Sequence, residues 1–130
     1  MQQLITTTAK KARQNFVFWS RDRDLDRAEA ETRMSSGEKF AWRLKVPKDL
    51  DIKVTDLVRG DMTVSSNTIG DFVVARSDGS VLYMLANVLD DWLQEITHII
   101  RGEDHISNTP KQILVWSALG VAPPQYAHIP

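Results

Sequence analysis

Residues 101–105, with the sequence RGEDH, hold the side chains whose types and spacing best suit chemistry. They directly follow the β-branched run at 96–100, and in a parallel sheet the loop after the carboxyl end of a strand is where ligands bind. There the planar guanidinium of Arg101 would match a carboxylate, while Glu103 and Asp104 could orient it or bind hydroxyls of a nucleotide sugar. A surface ion-pair cluster explains these residues equally well, and a loop histidine such as His105 is often a hydrogen-bonded spacer.

A second set of polar residues lies upstream at helical spacing. Wound as a helix, residues 83–94 place four of them on one face, because they recur at intervals of three and four. These are Tyr83, Asn87, Asp90 and Gln94, and the opposite, apolar face carries Leu85, Val88, Leu89, Trp92 and Leu93. From the pattern alone, the polar set is the solvated face of an amphipathic helix.

The elements before residue 80 are predicted to be mainly antiparallel sheet. Residues 40–46 alternate apolar and polar, which predicts a half-buried strand with Trp42 facing inwards. Further short strands are predicted around 52–58, 62–64 and 72–75, separated by turn residues. Upstream, the sequence predicts a helix at 9–14, a short strand at 16–19, and a helix at 24–36 with a capping box at Asp26 and Glu29 and a terminal cap at Gly37.

After residue 80 the pattern changes to that of an α/β fold. The amphipathic helix over 83–94 is followed by the β-branched run at 96–100 and by a second helix, which Asn108 or Thr109 would cap and Gly120 would end. Another strand is predicted to begin at 127–129. Strand, helix, strand and helix in that order indicate a parallel sheet with crossover helices. We expect the 130 residues to end within that architecture, so that the apolar faces of Leu85, Trp92 and Trp116 lack partners.

The composition excludes several classes of function. Apolar residues make up 42% and charged residues 25% of the chain, and the net charge of -1 gives no global basic field for nucleic acid. Without cysteine there is no disulfide, thiolate metal site or cysteine nucleophile. No Gly-rich phosphate loop occurs, and the three histidines have no ligand-like spacing. We predict no self-contained catalytic centre and no metal site, and a cytoplasmic protein without membrane contact.

The chain resembles bacterial-type glutamyl-tRNA synthetases over about residues 18–130. The most specific part is ITHIIRGEDHISNTPKQ at 96–112, within a longer match that runs from residue 70 to residue 130. Upstream, FAWRLKVP at 40–47 and DLVRGDMTV at 56–64 resemble the same enzymes in register. The resemblance is weakest before residue 38.

The resemblance implies a fold and a reaction. The family has a class I Rossmann-type catalytic domain interrupted by an insertion that binds the tRNA acceptor end. Residues 1–80 would be part of that mixed α+β insertion, and 81–130 the start of the second Rossmann half. The family attaches glutamate to tRNA through glutamyl-adenylate, with ATP as substrate and Mg²⁺. The implied partners are glutamate, ATP and the acceptor stem of glutamate tRNA, and the complete enzyme would be a cytoplasmic monomer.

The resemblance also implies roles for single residues. Tyr83, Asn87 and Arg101 match positions that line the glutamate pocket, with the arginine pairing the side-chain carboxylate. Asp104 and His105 match positions beside the adenosine. Weaker candidates for tRNA phosphate are Arg43, Lys45 and Arg59, for which a solvated face is the simpler explanation. Asp22 occupies a position that resembles a cysteine of the family's zinc knuckle, so no zinc is predicted.

Other interpretations stay open. The HIGH-type and KMSKS-type motifs of the family are absent from the 130 residues, so none of these residues is expected to be catalytic. The chain would then be an inactive segment of the enzyme, or a freestanding RNA-binding or assembly module derived from it. The glutamyl-queuosine enzymes that modify tRNA are a further alternative, although they usually have a shortened, less acidic version of RGEDH.

Overall fold

The computed structural model describes residues 17–130, so the predicted helix at 9–14 and the start of the predicted strand at 16–19 lie outside the described residues. Its three helices are α1 (Arg27–Ser35), α2 (Tyr83–Leu93) and α3 (Thr109–Leu119). The strands are β1 (Ala41–Arg43), β2 (Asp51–Asp56), β3 (Gly60–Ser65), β4 (Val73–Arg76), β5 (His98–Gly102) and β6 (Gln125–Ile129). Short 3₁₀ helices cover Ser66–Thr68 and Glu103–Asn108. No helix in this part of the chain is long and apolar enough to cross a membrane.

Helix α1 is capped at Asp26 and Gly37 as predicted, whereas no hydrogen bond among the described residues joins Glu29 to Asp26 to complete the predicted capping box. The Asp26 side chain accepts a hydrogen bond from the backbone N–H of Ala28. At the other end Gly37 has a φ of 86°, and the N–H groups of Gly37 and Glu38 donate to the carbonyls of Met34 and Arg33. This pair of bonds closes the helix with a left-handed residue, a conformation that glycine adopts without strain.

The strands form two sheets, and both antiparallel and parallel pairing occur, as predicted. Strands β1 and β4 pair antiparallel, as do β2 and β3. The larger sheet has the order β3-β2-β6-β5, in which β6 runs parallel to both β2 and β5. The predicted α/β class is therefore confirmed. The β2–β3 hairpin, which precedes residue 80, belongs to the same sheet as β5 and β6, and the domain boundary at residue 80 stays a prediction.

The alternation predicted for residues 40–46 is wrong at Trp42. Its side chain is 50% exposed, whereas the Arg43 guanidinium lies inwards, 4.1 Å from the centre of the Phe18 ring. A β-bulge between Trp42 and Arg43 shifts the register against β4. The register skips Val74, so the extra residue belongs to β4 and not to β1. The inward position of Arg43 comes with its own contacts, which are a hydrogen bond to the backbone carbonyl of Asp71 and the Phe18 ring.

Helices α2 and α3 cover the sheets and join the two halves of the chain. One buried cluster contains Val88, Val115 and Trp116, with Leu85 and Phe72 packed against it. A neighbouring cluster is formed by Val46, Ile52 and Leu114. The expectation that Leu85 and Trp116 lack partners is wrong, since Trp116 is buried between the helices. Trp92 does remain half exposed.

Candidate functional site

The carboxyl ends of β5 and β6 lie side by side and bring two polar residues into register. Arg101 of β5 is paired with His128 of β6. Strand β2 lies on the other side of β6, where its last residue, Asp56, is in register with Tyr126. Because all three strands are parallel to one another, Arg101, His128 and Asp56 meet at one edge of the sheet.

The Arg101 guanidinium is held by four acceptors within the chain. Its Nε donates to Nε2 of His128 at 3.0 Å. Its Nη2 donates to Oγ1 of Thr109 and to Oε1 of Gln112, both at 2.8 Å, and to the backbone carbonyl of His105 at 3.4 Å. Thr109 and Gln112 are fully buried residues of α3. The start of α3 therefore fixes one side of the guanidinium.

His128 is completely buried between Arg101 and Asp56, and its hydrogen bonds define its tautomer. Because an arginine Nε–H can only donate, Nε2 of His128 must be an acceptor. The proton of the neutral ring then lies on Nδ1, which is 2.5 Å from Oδ2 of Asp56. The Thr109 hydroxyl oxygen, 3.1 Å from Nε2, fits the same assignment. The ring thus donates to Asp56 and accepts from Arg101.

Asp56 is a buried carboxylate whose acceptor capacity is used within the chain. The backbone N–H groups of Val58 and Arg59 donate to Oδ1, each at 2.9 Å, and that of His128 donates to Oδ2 at 3.1 Å. Burial alone would raise the pKa of the Asp56 carboxyl, but the bonds from His128, Arg59 and Val58 outweigh it and hold that pKa well below its usual range. Asp56 is therefore a fixed negative charge beneath His128.

The partners of Arg101 are neutral acceptors, which leaves its positive charge without a direct counterion. Arg23, Arg33 and Arg59, in contrast, each form an ion pair with a carboxylate. Within residues 17–130, no group accepts a hydrogen bond from Nη1 of Arg101. The side chain is partly exposed and lies over the Tyr126 ring, 5.4 Å from its centre. Burial raises the pKa of the Asp91 carboxyl and the charge of Arg101 lowers it, so the two groups interact across space without forming an ion pair. An anion that reached Nη1 would form the direct ion pair that the guanidinium lacks.

The two other predicted glutamate residues lie on the first turns of α2. Tyr83 begins the helix and is half exposed, and Asn87 follows one turn later and is partly buried. In the described part of the chain, no hydrogen bond joins either side chain to Arg101. Their shared helical face is confirmed, and their role in a pocket with Arg101 stays a prediction.

Asp104 and His105 lie in the 3₁₀ helix after β5. The Asp104 side chain is largely exposed and that of His105 is partly exposed, with Oδ2 of Asp104 3.6 Å from Nε2 of His105. Gly102 makes room for Asp104, because a Cβ at that position would come within 2.5 Å of Oδ1 of Asp104. They are thus accessible to a ligand at the sheet edge, and their contact with adenosine stays a prediction.

The three candidate tRNA contacts each have a partner within the chain. Arg43 donates to the backbone carbonyl of Asp71 at 2.8 Å, and Lys45 forms an exposed ion pair with Asp24 at 2.6 Å. Arg59, in the turn between β2 and β3, forms an ion pair with Glu103. Arg43 and Lys45 thus lie beside the smaller sheet, whereas Arg59 contacts the segment after β5.

Four residues of the site were not identified from the sequence, namely Asp56, Thr109, Gln112 and His128. The nearest signal was the parallel-sheet pattern, because the ends of neighbouring parallel strands lie together. That pattern places the predicted strand at 127–129 beside the one at 96–100. It gives neither the register of these strands nor the parallel pairing of β2 with β6 that brings Asp56 to His128.

The site contains no grouping of metal-ligand side chains. Across residues 17–130 the structure holds no cluster of three or more His, Cys, Asp or Glu side chains arranged to bind a metal ion. Asp22, the position compared with a zinc cysteine, has its carboxylate 3.5 Å from the guanidinium of Arg33.

Comparisons with known proteins give a family and several relatives with similar sequences. Residues 2–130 match the family model described as tRNA synthetases class I (E and Q), catalytic domain. A glutamate–tRNA ligase of Hydrogenobaculum sp. is 50% identical over 108 residues, covering 83% of this chain and 23% of the relative. The glutamate–tRNA ligase of Aquifex aeolicus is 51% identical over 94 residues, covering 72% of this chain and 20% of the relative.

Solved structures show the same similarity. A crystal structure of a glutamate tRNA ligase from Elizabethkingia meningosepticum, in complex with its amino acid, matches with a TM-score of 0.83 and 29% identity. The match covers 96% of this chain and 26% of that one. The chain therefore spans about a quarter of the length of the relatives it matches.

Proposed function

The chain belongs to the class I tRNA synthetases for glutamate and glutamine, and from that premise we propose that it is a segment of a glutamate–tRNA ligase. In this proposal the complete enzyme activates glutamate with ATP and transfers it from glutamyl-adenylate to the terminal ribose of glutamate tRNA. Magnesium would accompany ATP as a counterion of its phosphates. The reaction would take place in the cytoplasm.

The observation that carries the proposal is that Arg101 forms no direct ion pair within the described residues, although Asp91 lies within electrostatic range. Its protein partners are His128, Thr109, Gln112 and a backbone carbonyl, all neutral, and Nη1 is left to an outside acceptor. A substrate carboxylate would complete the hydrogen bonding and neutralise the charge. A glutamine amide in the same place would provide one acceptor and no charge, so the guanidinium would stay unpaired. The site therefore favours glutamate over glutamine.

The remaining residues fit subsidiary roles around this contact. We assign Tyr83 and Asn87 to the same pocket, where they would add neutral hydrogen bonds without a competing charge. Asp104 and His105, exposed after β5, are assigned to the adenosine side. Contacts of Arg43, Lys45 or Arg59 with the acceptor stem would require each to leave its present partner, which for Arg59 is Glu103.

Pyrophosphate exchange tests the proposal directly. With glutamate tRNA present, the complete enzyme containing this segment should exchange labelled pyrophosphate into ATP when glutamate is added, and glutamine should support far less exchange. The 130-residue chain alone should show none, because it lacks the HIGH-type and KMSKS-type motifs. A complete enzyme whose pyrophosphate exchange does not increase when glutamate is added would contradict the proposal. Exchange by the 130-residue chain alone would contradict the expectation that it holds no catalytic centre.

A further inference from the structure

We propose that His128, oriented by Asp56, is the positioning residue that decides which edge of the Arg101 guanidinium faces the substrate. This inference rests on the proposed function, because it concerns the same glutamate contact. It adds His128 and Asp56 to the residues that determine this contact, although neither touches the substrate. The Asp56–His128–Arg101 chain is formed by three different strands of one sheet, so its members share a rigid support.

The first argument is the direction of each hydrogen bond. Arg101 has three nitrogens that can point towards a ligand, and a free side chain would rotate among them. The bond from Nε to His128 and the bonds from Nη2 to Thr109 and Gln112 occupy two of these nitrogens. Only Nη1 is left, so the orientation of the guanidinium is determined by the acceptors around it. His128 is the acceptor on the Nε side.

The second argument concerns the tautomer. A neutral imidazole can carry its proton on either nitrogen, and only the Nδ1–H form can accept from Arg101. Oδ2 of Asp56, 2.5 Å from Nδ1, requires a proton on that nitrogen. Asp56 itself cannot turn away, since backbone N–H groups of Val58, Arg59 and His128 hold both of its oxygens. The carboxylate thereby selects the tautomer that binds the arginine.

The third argument is electrostatic. A carboxylate in direct contact with Arg101 would orient it equally well, but it would also neutralise the guanidinium and compete with the substrate. The imidazole separates the two charges and still transmits orientation from one to the other. Because His128 has no accessible surface, water does not replace it as the acceptor. The arrangement keeps the arginine both oriented and positively charged.

Two substitutions of His128 separate positioning from simple packing. A glutamine places an amide oxygen near the location of Nε2 and can still accept from Arg101. An asparagine places its amide near Nδ1, so it can donate to Asp56 but leaves the Nε of Arg101 unbonded. In the complete enzyme, His128→Asn should raise the KM for glutamate about tenfold or more, since a bond to a charged donor is lost. His128→Gln should raise the KM for glutamate much less than His128→Asn does. Both substitutions should change the KM for ATP less than the KM for glutamate.

A double-mutant cycle tests whether His128 acts through Arg101. In an Arg101→Met background, adding His128→Asn should produce no further loss of kcat/KM for glutamate, because the group it positions is already gone. Val54→Ala is the matched control, since Val54 is a buried residue of the same sheet without contact to Arg101. It should lower the melting temperature and leave the KM for glutamate unchanged.

If His128→Asn does not fold, Asp56→Asn offers a second route. The N–H groups of Val58 and Arg59 would hold its amide oxygen, so its amide nitrogen would donate to Nδ1 of His128 and favour the tautomer that cannot accept from Arg101, which should raise the same KM. Additive effects in the cycle would overturn the positioning proposal, as would equal rises in both Michaelis constants. Those results leave the proposed function intact as long as the unmodified enzyme still shows glutamate-dependent exchange. If the unmodified enzyme shows no glutamate-dependent exchange, the proposed function itself is contradicted.

Discussion

Arg101 has five N–H donors, and the three on Nε and Nη2 are directed at neutral acceptors of the chain. This division explains why lysine is a poor substitute. An ammonium group is a compact point charge, and it cannot reach His128, Thr109 and Gln112 while still facing a ligand. The role of Arg101 therefore depends on its shape as well as its charge.

Substitution of Arg101 should affect glutamate far more than ATP. In the complete enzyme we expect Arg101→Ala to raise the KM for glutamate, with a loss of about 2–4 kcal/mol in kcat/KM if the carboxylate pair is well buried. Arg101→Lys should lose nearly as much kcat/KM for glutamate as Arg101→Ala does. Steady-state kinetics with each substrate varied in turn measure both constants. The assignment is wrong if the two constants rise together or if that of glutamate does not change.

Asp56 should make a pH-dependent contribution to stability. Its folded pKa lies below the ordinary value, because hydrogen bonds to the carboxylate outweigh burial. A carboxyl with a depressed pKa stabilises the fold above its unfolded pKa of about 4, and that stabilisation is lost as the pH falls below it. Asp56→Asn should therefore destabilise the protein at neutral pH by about 3 kcal/mol, because backbone donors lose a charged acceptor.

Urea unfolding at several pH values checks this expectation. The difference in unfolding free energy between the wild type and Asp56→Asn should shrink as the pH decreases below about 4, where the unfolded carboxyl becomes protonated. Asp61→Asn is a suitable control, since Asp61 is an exposed residue of β3. A difference that stays constant from neutral to acidic pH would show that the charge of Asp56 is not what stabilises the fold.

At the level of elements, the short segment before α1 is attached to the rest of the fold through Gly70. The backbone carbonyl of Phe18 accepts from the N–H of Asp71 at 2.7 Å, and the N–H of Ser20 donates to the Asp71 carboxylate at 2.9 Å. Gly70 has a φ of 73°, and a Cβ there would collide with the Phe18 carbonyl oxygen and lie 2.9 Å from Cγ1 of Val17. Both the backbone conformation and the close approach require glycine.

Gly70→Ala should thus be strongly destabilising, and Gly79→Ala measures how much of the effect is backbone strain. Gly79 has a similar φ of 87°, but a Cβ at that position would meet no atom within 4 Å. Positive φ alone costs about 1–3 kcal/mol, so Gly79→Ala should lose about that amount and Gly70→Ala distinctly more. Chemical denaturation of both variants gives the comparison. Equal losses would mean that the contact with Phe18 adjusts without cost.

Local elements could be predicted from the sequence, whereas contacts between elements could not. The caps of α1 and the end of α3 at Gly120 depend on a few neighbouring residues, and the structure confirms them. The inward position of Arg43 depends on its contacts with Phe18 and with the backbone carbonyl of Asp71, which lie far from it along the chain. The Asp56–His128 contact joins residues 72 positions apart. Arg101 was identified from a motif, but its supporting acceptors required the sheet register.

At the scale of the whole molecule, a buried apolar core coexists with an exposed group of apolar side chains. Val88, Val115 and Trp116 form a dry centre between α2 and α3. In contrast, the end of α2 and the outer strand β5 expose a run of large apolar side chains: Trp92, Leu93, Ile96 and Ile100. Leu93 is 78% and Ile100 67% exposed. Strand β5 is also an edge of its sheet, so one side of its backbone is unpaired within that sheet.

These features predict that the 130-residue chain by itself associates at high concentration and unfolds over a broad temperature range. Exposed apolar side chains beside an open strand edge favour contacts between copies, and a net charge of -1 provides little repulsion. Leu93→Lys combined with Ile100→Lys should reduce association in sedimentation velocity measurements. Leu57→Lys, which changes another exposed residue near the β2–β3 turn, should have less effect because it leaves β5 unaltered. A sharp melt of a monodisperse unmodified monomer would show that the buried clusters alone stabilise the chain and that the apolar run needs no partner.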